Sequence, residues 1–370
     1  MRVSSVQREL NNMGKIRLAI IGTNGVPNQY GGFETLVEFL AEYLHERFDI
    51  TIYCSKTQKT RVKDYKSCRL VYLPLKANGW QGILYDALSV ALTARKFDRI
   101  LILGCSSLIT IRLYSRFKSK FILNIGGIDW RRSKWGKLQK WLIHSAEKTS
   151  IPICAKIISD NEGIREYIKE TYNKDSFMIE YGGDQVTKES VTQEAIIKYP
   201  FLNNPYALVV ARIQSDNNIE MSIKGCLNAK VPLVVVGNWN HSQYGIELRD
   251  KYSSERNLYL LDAIYDQKEL NILRSNADVY IHGHSGGGTN PSLVEIMTLE
   301  VPVYCYNSNY NRYTTEDKSL YYCDENELSV LLSTTTNEKK EEMTSVLSEV
   351  AFRRYRWEII AEKYAEVIEK

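Results

Sequence analysis

The chain has 370 residues, 44% of them apolar and 25% charged, and its 48 Lys and Arg against 44 Asp and Glu give a net charge of +4. The length predicts two domains, the composition is typical of a globular protein, and the charge is too small to indicate nucleic-acid binding. The seven cysteines form no Cys-x-x-Cys pair, which favours a reducing compartment and no zinc site. The polar start of the chain and the lack of a ~20-residue apolar run predict a cytosolic protein, or one that lies on the cytosolic side of a membrane.

The first half of the chain alternates strand and helix patterns after a flexible N-terminus at residues 1–14. A buried strand at Ile16–Gly22 runs into the long turn Thr23–Glu34, and a helix with apolar residues at helical spacing follows. This alternation predicts a doubly wound parallel sheet. Further strands are predicted at Ile50–Ser55, Arg69–Leu75, Arg99–Gly104, Phe121–Gly126, Ala155–Asp160 and Phe177–Tyr181, and helices at Gly82–Arg95, Gly136–Lys148 and Asn161–Tyr172.

A polar stretch, Asp184–Asn204, interrupts the pattern before a second α/β series begins. We therefore predict domains at 15–195 and 196–345, and one long charged helix that begins near Thr344 and forms the segment 346–370. Two such domains facing each other would place a ligand cleft at the carboxyl ends of their strands. In the second series, strands are predicted at Tyr206–Ile213, Pro232–Gly237, Leu258–Leu261, Asp278–Gly283 and Val301–Tyr306, and helices at Asn218–Ala229, Ser242–Tyr252, Gln267–Asn276 and Pro291–Glu300.

A glycine-rich turn joins the strand Asp278–Gly283 to the helix that starts at Pro291. Its backbone N–H groups and the helix N-terminus predict an anion site. Glu295 stands in an apolar run, where a carboxylate needs a donor, and we interpret it as an acceptor for hydroxyls of a bound nucleotide sugar. The alternative is a surface Glu on an amphipathic helix. The predicted loop residues are Gly286, Gly287, Gly288, Thr289 and the N-cap Asn290.

The first glycine-rich turn does not have the spacing of a dinucleotide site. G-x-G-x-x-G is absent, and the second strand ends at Ser55 without an acidic residue for a ribose, so an NAD oxidoreductase is a poor fit. The turn is long enough to wrap a phosphate or an acceptor sugar. Its glycines are Gly22, Gly25, Gly31 and Gly32.

Two further features suggest ligand contacts. Arg212 ends the first strand of the second domain, where a guanidinium suits a diphosphate, although a solvated strand-end arginine has the same pattern. His282 and His284 lie two apart on one strand, and we expect them to line the cleft. The sequence has no Asp-x-Asp and no cluster with metal-ligand spacing, so we predict no metal.

The segment Arg112–Lys140 is basic and aromatic, with Asp129 as its one acid. Such a face can rest on anionic lipid headgroups or bind a diphosphate-linked acceptor. An RNA-binding surface is an alternative without a recognisable module, and a solvated helix face is another. The basic residues are Arg112, Arg116, Lys118, Lys120, Arg131, Arg132, Lys134, Lys137 and Lys140.

Six segments in order along the chain carry a family resemblance. They are GTNGVPNQYGGFETLVEFLAEYL near the start, GGIDWRRSKWGK, SDNEGIREY, EYGGD, VARIQSDNNIE and HGHSGGGTNPSLVEIM. Together they resemble the two-domain GT-B glycosyltransferases of family 4, and within it the bacterial rhamnosyltransferase branch of capsular and cell-wall polysaccharide assembly.

The resemblance implies a retaining transfer of L-rhamnose from dTDP-L-rhamnose, without a metal or another cofactor. It also implies an acceptor sugar on a polyprenyl diphosphate, at the inner face of the cytoplasmic membrane. The first domain would bind the acceptor and the second the nucleotide sugar, and the terminal helix would pack back on the first domain. Use of another nucleotide hexose, sugar-nucleotide epimerisation, and a non-catalytic adaptor of an assembly complex are the alternatives.

The resemblance also assigns residues. Glu295 matches the ribose-binding glutamate, and Arg212 matches the diphosphate arginine. Gly31 and Gly32 match an amino-terminal Gly-Gly loop, which also holds Gly25, Tyr30 and Glu34. The donor set is then Arg212, Asn217, His284, Gly286, Gly287, Gly288, Thr289, Asn290 and Glu295.

Three family positions differ in this chain. A first glutamate falls on Gly287, a lysine falls on Asn217, and an acidic residue before Gly127 falls on Gly126. The last difference leaves acceptor activation to Asp129, Asp160 or Tyr181, and Asp160, at a strand end, suits an acceptor hydroxyl.

Overall fold

The computed structural model describes residues 14–28, 31–58, 61–77, 79–105, 108–131 and 136–370. The chain forms two compact units. The N-terminal unit comprises the residues up to Ile179 together with Glu358–Lys370, and the C-terminal unit comprises Glu180–Trp357.

The chain passes from the first unit to the second at Glu180, earlier than the predicted boundary at residue 195. The polar segment that follows Ile179 is held by the C-terminal unit. Arg354 Nη2 donates to Glu180 Oε1 over 3.1 Å, and Trp357 N donates to Asp184 Oδ1 over 2.8 Å. The polar composition correctly indicated irregular backbone in this region, but the boundary between the units lies at Glu180, before the polar stretch.

The N-terminal unit contains an eight-stranded sheet in the order β3-β4-β2-β1-β5-β6-β7-β8. All neighbouring strands in it are parallel except β3 and β4, which form an antiparallel pair at one edge. The strands are β1 Arg17–Ile21, β2 Asp49–Cys54, β3 Asp64–Tyr65, β4 Cys68–Tyr72, β5 Arg99–Leu103, β6 Phe121–Ile125, β7 Lys156–Ser159 and β8 Phe177–Met178.

Apolar runs place the central strands of this sheet in the core. Leu18 to Ile21 of β1 are completely buried, as expected for a parallel strand that is covered on both faces. The covering helices are α1 Gly32–Leu44, α2 Trp80–Thr93, α3 Lys137–Ile153 and α4 Glu162–Tyr172, and 3₁₀ turns occupy Leu108–Lys120 and Asp129–Arg131. Because β1, β5, β6 and β7 are adjacent and parallel, the loops after them meet at one edge of the sheet.

The C-terminal unit contains a second sheet of six parallel strands in the order β11-β10-β9-β12-β13-β14. The strands are β9 Ala207–Val210, β10 Leu233–Val236, β11 Leu258–Leu261, β12 Val279–His282, β13 Val303–Tyr306 and β14 Leu320–Tyr322. The helices are α5 Gln193–Lys198, α6 Ile219–Ala229, α7 Gln243–Tyr252, α8 Gln267–Ser275, α9 Pro291–Thr298, α10 Asn309–Thr315, α11 Glu325–Thr334 and α12 Asn337–Arg354, with 3₁₀ turns at Pro200–Asn203, Ser215–Asn217 and Trp239–His241. The prediction of two doubly wound α/β domains is confirmed.

The prediction of one long terminal helix is wrong, because the helical pattern is divided between α12 and α13, Trp357–Glu369. The break lies at Tyr355, whose backbone leaves the helical region and whose buried hydroxyl donates to Thr314 O. Residues 358–370 belong to the N-terminal unit, where Tyr364 and Ile368 are completely or almost completely buried. Within the described part of the chain, no helix is both long and apolar enough to span a membrane.

Candidate functional site

The glycine-rich loop of the C-terminal unit connects the buried strand β12 to helix α9. Asn290 caps that helix, because its Oδ1 accepts a hydrogen bond from Ser292 N over 3.0 Å, and Pro291 occupies the first helical position. Gly287 has φ +96°, and a Cβ on Gly286 would have open space around it. The strand, glycine turn and helix N-terminus thus follow one another as the sequence predicts, with Gly288 and the buried Thr289 in the same loop, and anion binding there stays a prediction.

The loop after β9 lies against this glycine-rich loop. A Cβ on Gly283 would be 2.3 Å from Asn217 O, so only glycine allows the two backbones to approach this closely. Asn218 Nδ2 donates to Gly283 O over 2.9 Å, and Ser285 N donates to Asp216 O over 2.9 Å. The loops of two paired strands are therefore fixed to each other, and they bring Arg212, Asn217 and His284 to one region.

Asn217 connects Arg212 to His284. Its Nδ2 donates to Arg212 O over 2.6 Å, and its Oδ1 lies 2.5 Å from His284 Nδ1. The Arg212 side chain is exposed, while Asn217 and His284 are buried. His282 is buried below them, and burial lowers its pKa to about 3, so that it is neutral at physiological pH.

Glu295 has two donor partners inside the C-terminal unit. Arg274 Nη2 donates to its Oε2 over 2.5 Å and Gln185 Nε2 donates to its Oε1 over 2.6 Å. The side chains of Arg274 and Glu295 are only 5% and 12% exposed. The expectation that this carboxylate needs a donor agrees with the geometry, but its ribose contact stays a prediction. Sequence reasoning missed Arg274, since the pattern of α8 gave no sign that its arginine turns inwards.

Tyr181 lies in the C-terminal unit, in the Glu180–Asp184 segment. It is buried, and its ring makes an edge contact with Trp357 at a centroid distance of 4.8 Å. A Cβ on the next residue, Gly182, would be 2.4 Å from Trp357 Cδ2, so the segment packs directly on that indole. This environment supports a packing role for Tyr181, and its catalytic role stays a prediction.

In the N-terminal unit, Glu34 organises the first glycine-rich turn. Its buried Oε1 accepts from Thr23 Oγ1 over 3.0 Å and from Asn24 N over 2.7 Å. A Cβ on Gly31, which has φ +140°, would be 2.0 Å from Glu34 Oε2. The carboxylate therefore holds the turn together from inside, and this internal role was not evident from the sequence.

The other predicted residues of this turn differ in position. Gly25, at φ +110°, lies against Cys54, where a Cβ would be 2.5 Å from the sulfur. Gly32 begins helix α1 and is exposed. Tyr30 lies outside the described residues.

A cavity of about 70 Å³ lies where β5 and β6 end. Asp129 lines it, and Phe33, from the first turn of α1, packs over Gly104 and Gly126. Asp160 Oδ2 would be 3.3 Å from a Cβ on Gly126, which places the carboxylate beside the cavity wall. The fold thus brings Asp129 and Asp160 to one sheet edge. The full lining is Phe33, Gly104, Cys105, Ile125, Gly126, Gly127 and Asp129.

A buried carboxylate, Glu147, anchors the turn that carries Asp129. Its Oε1 accepts from Tyr167 OH over 2.5 Å and from Tyr172 OH over 2.6 Å. Trp130 Nε1 in turn donates to Tyr167 OH over 3.2 Å. The chain of hydrogen bonds links helix α3 to the residue next to Asp129. Sequence reasoning missed it, because its members are far apart in the chain.

The basic and aromatic segment presents exposed apolar side chains as well as cations. Leu113, Leu138 and Trp141 are 79%, 64% and 62% exposed. The cations Arg112, Arg116, Lys118, Arg131 and Lys137 are exposed, and Lys120 and Lys140 are half-buried. The predicted residues Arg132 and Lys134, with Trp135, lie outside the described residues.

Neither metal ligation nor a disulfide is built into the described structure. Among the residues that it covers, no group of three or more His, Cys, Asp or Glu side chains could hold a metal ion. All seven cysteines are free, and six of them are buried. Burial raises the pKa of the Cys105 thiol well above its usual range, so this cavity-lining cysteine is a poor nucleophile.

Two family models match the chain in tandem. Residues 15–184 match a domain of unknown function (DUF1972), and residues 191–330 match the glycosyl transferases group 1 family. No curated protein matches the sequence.

Solved structures share the fold over nearly the whole chain. Sucrose-phosphate synthase from Thermosynechococcus elongatus is 16% identical with a TM-score of 0.77, and the match covers 96% of this chain and 98% of that one. HepE from Anabaena, in complex with UDP and glucose, is 14% identical with a TM-score of 0.74, covering 96% and 99%. The trehalose-6-phosphate structure from E. coli, bound with UDP-2-fluoro glucose, is 11% identical with a TM-score of 0.72, again covering 96% and 99%.

The likeness to these structures shows the GT-B fold. The glycine-rich loop, Arg212 and Glu295 all lie within the segment that matches the group 1 family. The chain thus combines the GT-B fold with a segment, residues 191–330, that matches the glycosyl transferases group 1 family.

Proposed function

We propose that the protein is a retaining, metal-independent glycosyltransferase that moves L-rhamnose from dTDP-L-rhamnose onto a sugar carried by a polyprenyl diphosphate, in bacterial polysaccharide biosynthesis. The observation that carries the proposal is the glycine-rich loop before α9, where a strand end, a glycine at positive φ and a capped helix N-terminus coincide. The choice of sugar and acceptor is supported by the six ordered segments that resemble the rhamnosyltransferase branch.

The loop has the chemistry that a departing nucleoside diphosphate requires. Cleavage of the sugar–phosphate bond leaves negative charge on the diphosphate and an oxocarbenium-like sugar. Without a metal, the N–H groups of Gly286–Thr289, the N-terminus of α9 and the exposed guanidinium of Arg212 stabilise that charge. Preorganised donors of this kind contribute roughly 3–4 kcal/mol each.

Glu295 would bind the pentose of the nucleotide. Arg274 and Gln185 each use one acceptor position on its carboxylate, one on each oxygen. An ionised carboxylate offers about four such positions, so lone pairs remain for a sugar hydroxyl. The two protein donors would hold the carboxylate in a fixed orientation before the nucleotide arrives.

The acceptor sugar would bind at the cavity in the N-terminal unit. Phe33 offers an apolar ring for a sugar face, and Asp129 and Asp160 offer carboxylates for its hydroxyls. We assign acceptor activation to Asp160, with Asp129 as the second candidate and Tyr181 as the third. Gly25, Tyr30, Gly31 and Gly32 belong to the adjoining loop, which Glu34 braces.

The polyprenyl chain of the acceptor implies work at a membrane. Exposed Leu138 and Trp141, with Lys137 on the same helix, offer apolar insertion and attraction to anionic lipid together. We therefore place the protein in the cytoplasm, peripherally bound at the inner face of the cytoplasmic membrane through the face Arg112–Lys140.

Transfer from radiolabelled dTDP-L-rhamnose to a polyprenyl-diphosphate-linked saccharide tests the function, with UDP- and GDP-hexoses in parallel. Arg212→Ala should lower turnover by about 100-fold or more, since it removes a donor to the leaving group. Arg256→Ala, an exposed arginine of the same unit, is the matched control. Transfer that is undiminished in Arg212→Ala refutes the assigned role, and the absence of transfer from every donor would support the non-catalytic adaptor.

A UDP-hexose is the second candidate donor. The observation in its favour is that similar structures from Anabaena and E. coli were solved with UDP or a UDP sugar. The donor panel separates the two possibilities, because only one nucleotide sugar should support efficient transfer.

Sedimentation with lipid vesicles tests the membrane assignment. The protein should bind vesicles that contain phosphatidylglycerol and not vesicles of phosphatidylcholine alone, and added salt should weaken the binding. Trp141→Ser should reduce it several-fold, whereas Ile197→Ser, an exposed apolar residue of the C-terminal unit, should not. Equal binding by both variants would contradict the assigned face.

A further inference from the structure

The paired side chains of Asn217 and His284 extend the proposed function of the glycine-rich loop. Of the residues proposed to bind the donor, Arg212 alone carries a permanent positive charge. The diphosphate of a nucleotide sugar carries about two negative charges. A second cation at the loop would therefore complement it.

The hydrogen bonds of Asn217 fix the tautomer of His284. Because the Asn217 amide nitrogen donates to Arg212 O, the amide oxygen is the atom that faces His284 Nδ1. That oxygen can only accept, so Nδ1 carries a proton in the neutral ring as well as in the charged one. The proton that His284 gains or loses is consequently the one on Nε2.

The geometry places Nε2 at the glycine-rich loop. A Cβ on Gly287 would be 3.2 Å from His284 Nε2. The imidazole is buried, and Asn311 Nδ2 donates to the backbone carbonyl of His284 over 2.9 Å, so the ring and its backbone are held in position. A phosphate oxygen at the loop would lie within reach of an Nε2–H donor.

We propose that His284 takes up a proton at Nε2 when the donor diphosphate binds, and that its imidazolium, oriented by Asn217, supplies the second positive charge at the leaving group. His284 is thus a binding group that gains its second ring proton in the complex. Asn217 is a positioning residue that keeps the titrating nitrogen directed at the loop.

The titratable groups around His284 are consistent with this assignment. His282, with its ring centroid 6.1 Å away, stays neutral because burial lowers its pKa to about 3. Arg212 and Asp216 lie on the adjacent loop, with opposite charges. Arg312, next to Asn311 on α10, is paired with Asp317 over 2.7 Å. We therefore assign the change of charge to His284.

Calorimetric titration with dTDP-L-rhamnose and with UDP-glucose, without acceptor, tests the proposal. Both phosphates of these compounds are esterified and do not titrate near neutral pH. Measurements in buffers of different ionisation enthalpy should show uptake of up to one proton on binding. The complex binds the proton more tightly than the free protein does, so affinity is highest at low pH. The Kd should rise by up to about tenfold per pH unit as His284 loses its proton.

Two variants distinguish a charge role from a structural one. His284→Gln should bind without proton uptake and with a flat pH profile, while Asn217→Asp should charge His284 in the free protein and so also abolish uptake. His241→Gln, an exposed histidine of the same unit, is the control and should keep the parent's profile. Thermal unfolding of each variant checks that it is folded.

The outcomes separate this inference from the function on which it rests. If the parent protein binds a nucleotide sugar without proton uptake, or if uptake persists in His284→Gln, the inference is overturned and the glycosyltransferase proposal stands. Failure of the parent to bind any nucleotide sugar instead overturns the proposed function itself.

Discussion

Arg274 brings a positive charge into the interior of the C-terminal unit. Among the described residues, its ion-pair partner is Glu295. Taking two charges out of water is costly, and their attraction offsets that cost only while both are present. Removing one partner leaves a buried charge without compensation. Each charge of this pair, on helices α8 and α9, therefore depends on the other for its compensation.

Arg274→Met should lower the free energy of unfolding by about 3–5 kcal/mol, because it strands the Glu295 carboxylate in a mostly buried site. The double variant Arg274→Met, Glu295→Leu should recover much of that loss. Urea unfolding measures both changes. Strictly additive losses in the double variant would show that the two side chains are not coupled.

This pair also shows what can be predicted at the level of one residue. The position of Glu295 in an apolar run predicts that a hydrogen-bond donor lies near it, since a lone buried carboxylate is too costly. Which residue supplies the donor depends on how α8 packs on α9, and Arg274 is 21 residues away in the chain. The same holds for Glu34, whose local sequence suggested a ligand contact and whose partners are backbone and hydroxyl groups of the preceding turn.

At the scale of an element, the glycine-rich loop offers two neighbouring positions with different constraints. Gly287→Ala should lower stability by about 1–2 kcal/mol, because φ +96° is unfavourable for a residue with a Cβ. Gly286→Ala should leave stability unchanged, since its Cβ would enter open space. In the proposed function that space is occupied by the phosphates, so Gly286→Ala should still weaken nucleotide-sugar binding. Thermal unfolding and calorimetry measure the two effects; unaltered binding by Gly286→Ala would contradict the assigned position of the phosphates.

A second element-scale prediction concerns the starts of β1 and β5. Arg17 donates to Asp98 over 2.8 Å, and this hydrogen bond lowers the pKa of Asp98 to about 2. Since the pKa is lowered on folding, the stabilisation is present above about pH 4 and is lost as the pH falls towards 2. Both side chains are about half exposed, so the contribution is small, about 0.2–1 kcal/mol. The difference in urea stability between Asp98→Asn and the parent should accordingly shrink with acidification; a constant difference would point to another cause.

Regular elements with strong patterns were predictable. The apolar runs of β1, β5, β9 and β12 specify buried parallel strands, and Asn161 and Asn290 cap the helices that were expected after them. Irregular elements were not. The 3₁₀ segment Leu108–Lys120 has mixed polarity, and the antiparallel strand Asp64–Tyr65 has two residues, so neither carries a periodic signal.

For the whole molecule, the last helix completes the N-terminal unit. Asn124 Nδ2 donates to the buried Tyr364 hydroxyl, and Lys156 Nζ donates to Val367 O over 2.8 Å. These contacts join the chain's last 13 residues, Glu358–Lys370, to strands β6 and β7. Their sequence predicts a helix, but its division from α12 depends on packing at Tyr355, which the charge-rich pattern does not reveal.

Tyr364→Ala should destabilise the N-terminal unit by about 3–5 kcal/mol, because it empties a completely buried aromatic site. Tyr364→Phe keeps the ring and should cost only about 1–2 kcal/mol for the lost hydrogen-bond partner of Asn124. Scanning calorimetry should resolve an earlier transition for the N-terminal unit in the alanine variant. A shift confined to the transition of the C-terminal unit would contradict the assignment of Tyr364 to the stability of the N-terminal unit.

The segment Glu180–Trp357 is continuous in the chain, whereas the N-terminal unit is assembled from two stretches that are separated in sequence. During synthesis, the C-terminal unit therefore has all of its residues while the N-terminal unit still lacks Glu358–Lys370. Tyr364 can pack beside β6 only after α13 has been synthesised. We therefore expect the C-terminal unit to be able to fold during synthesis before the N-terminal unit has all of its residues.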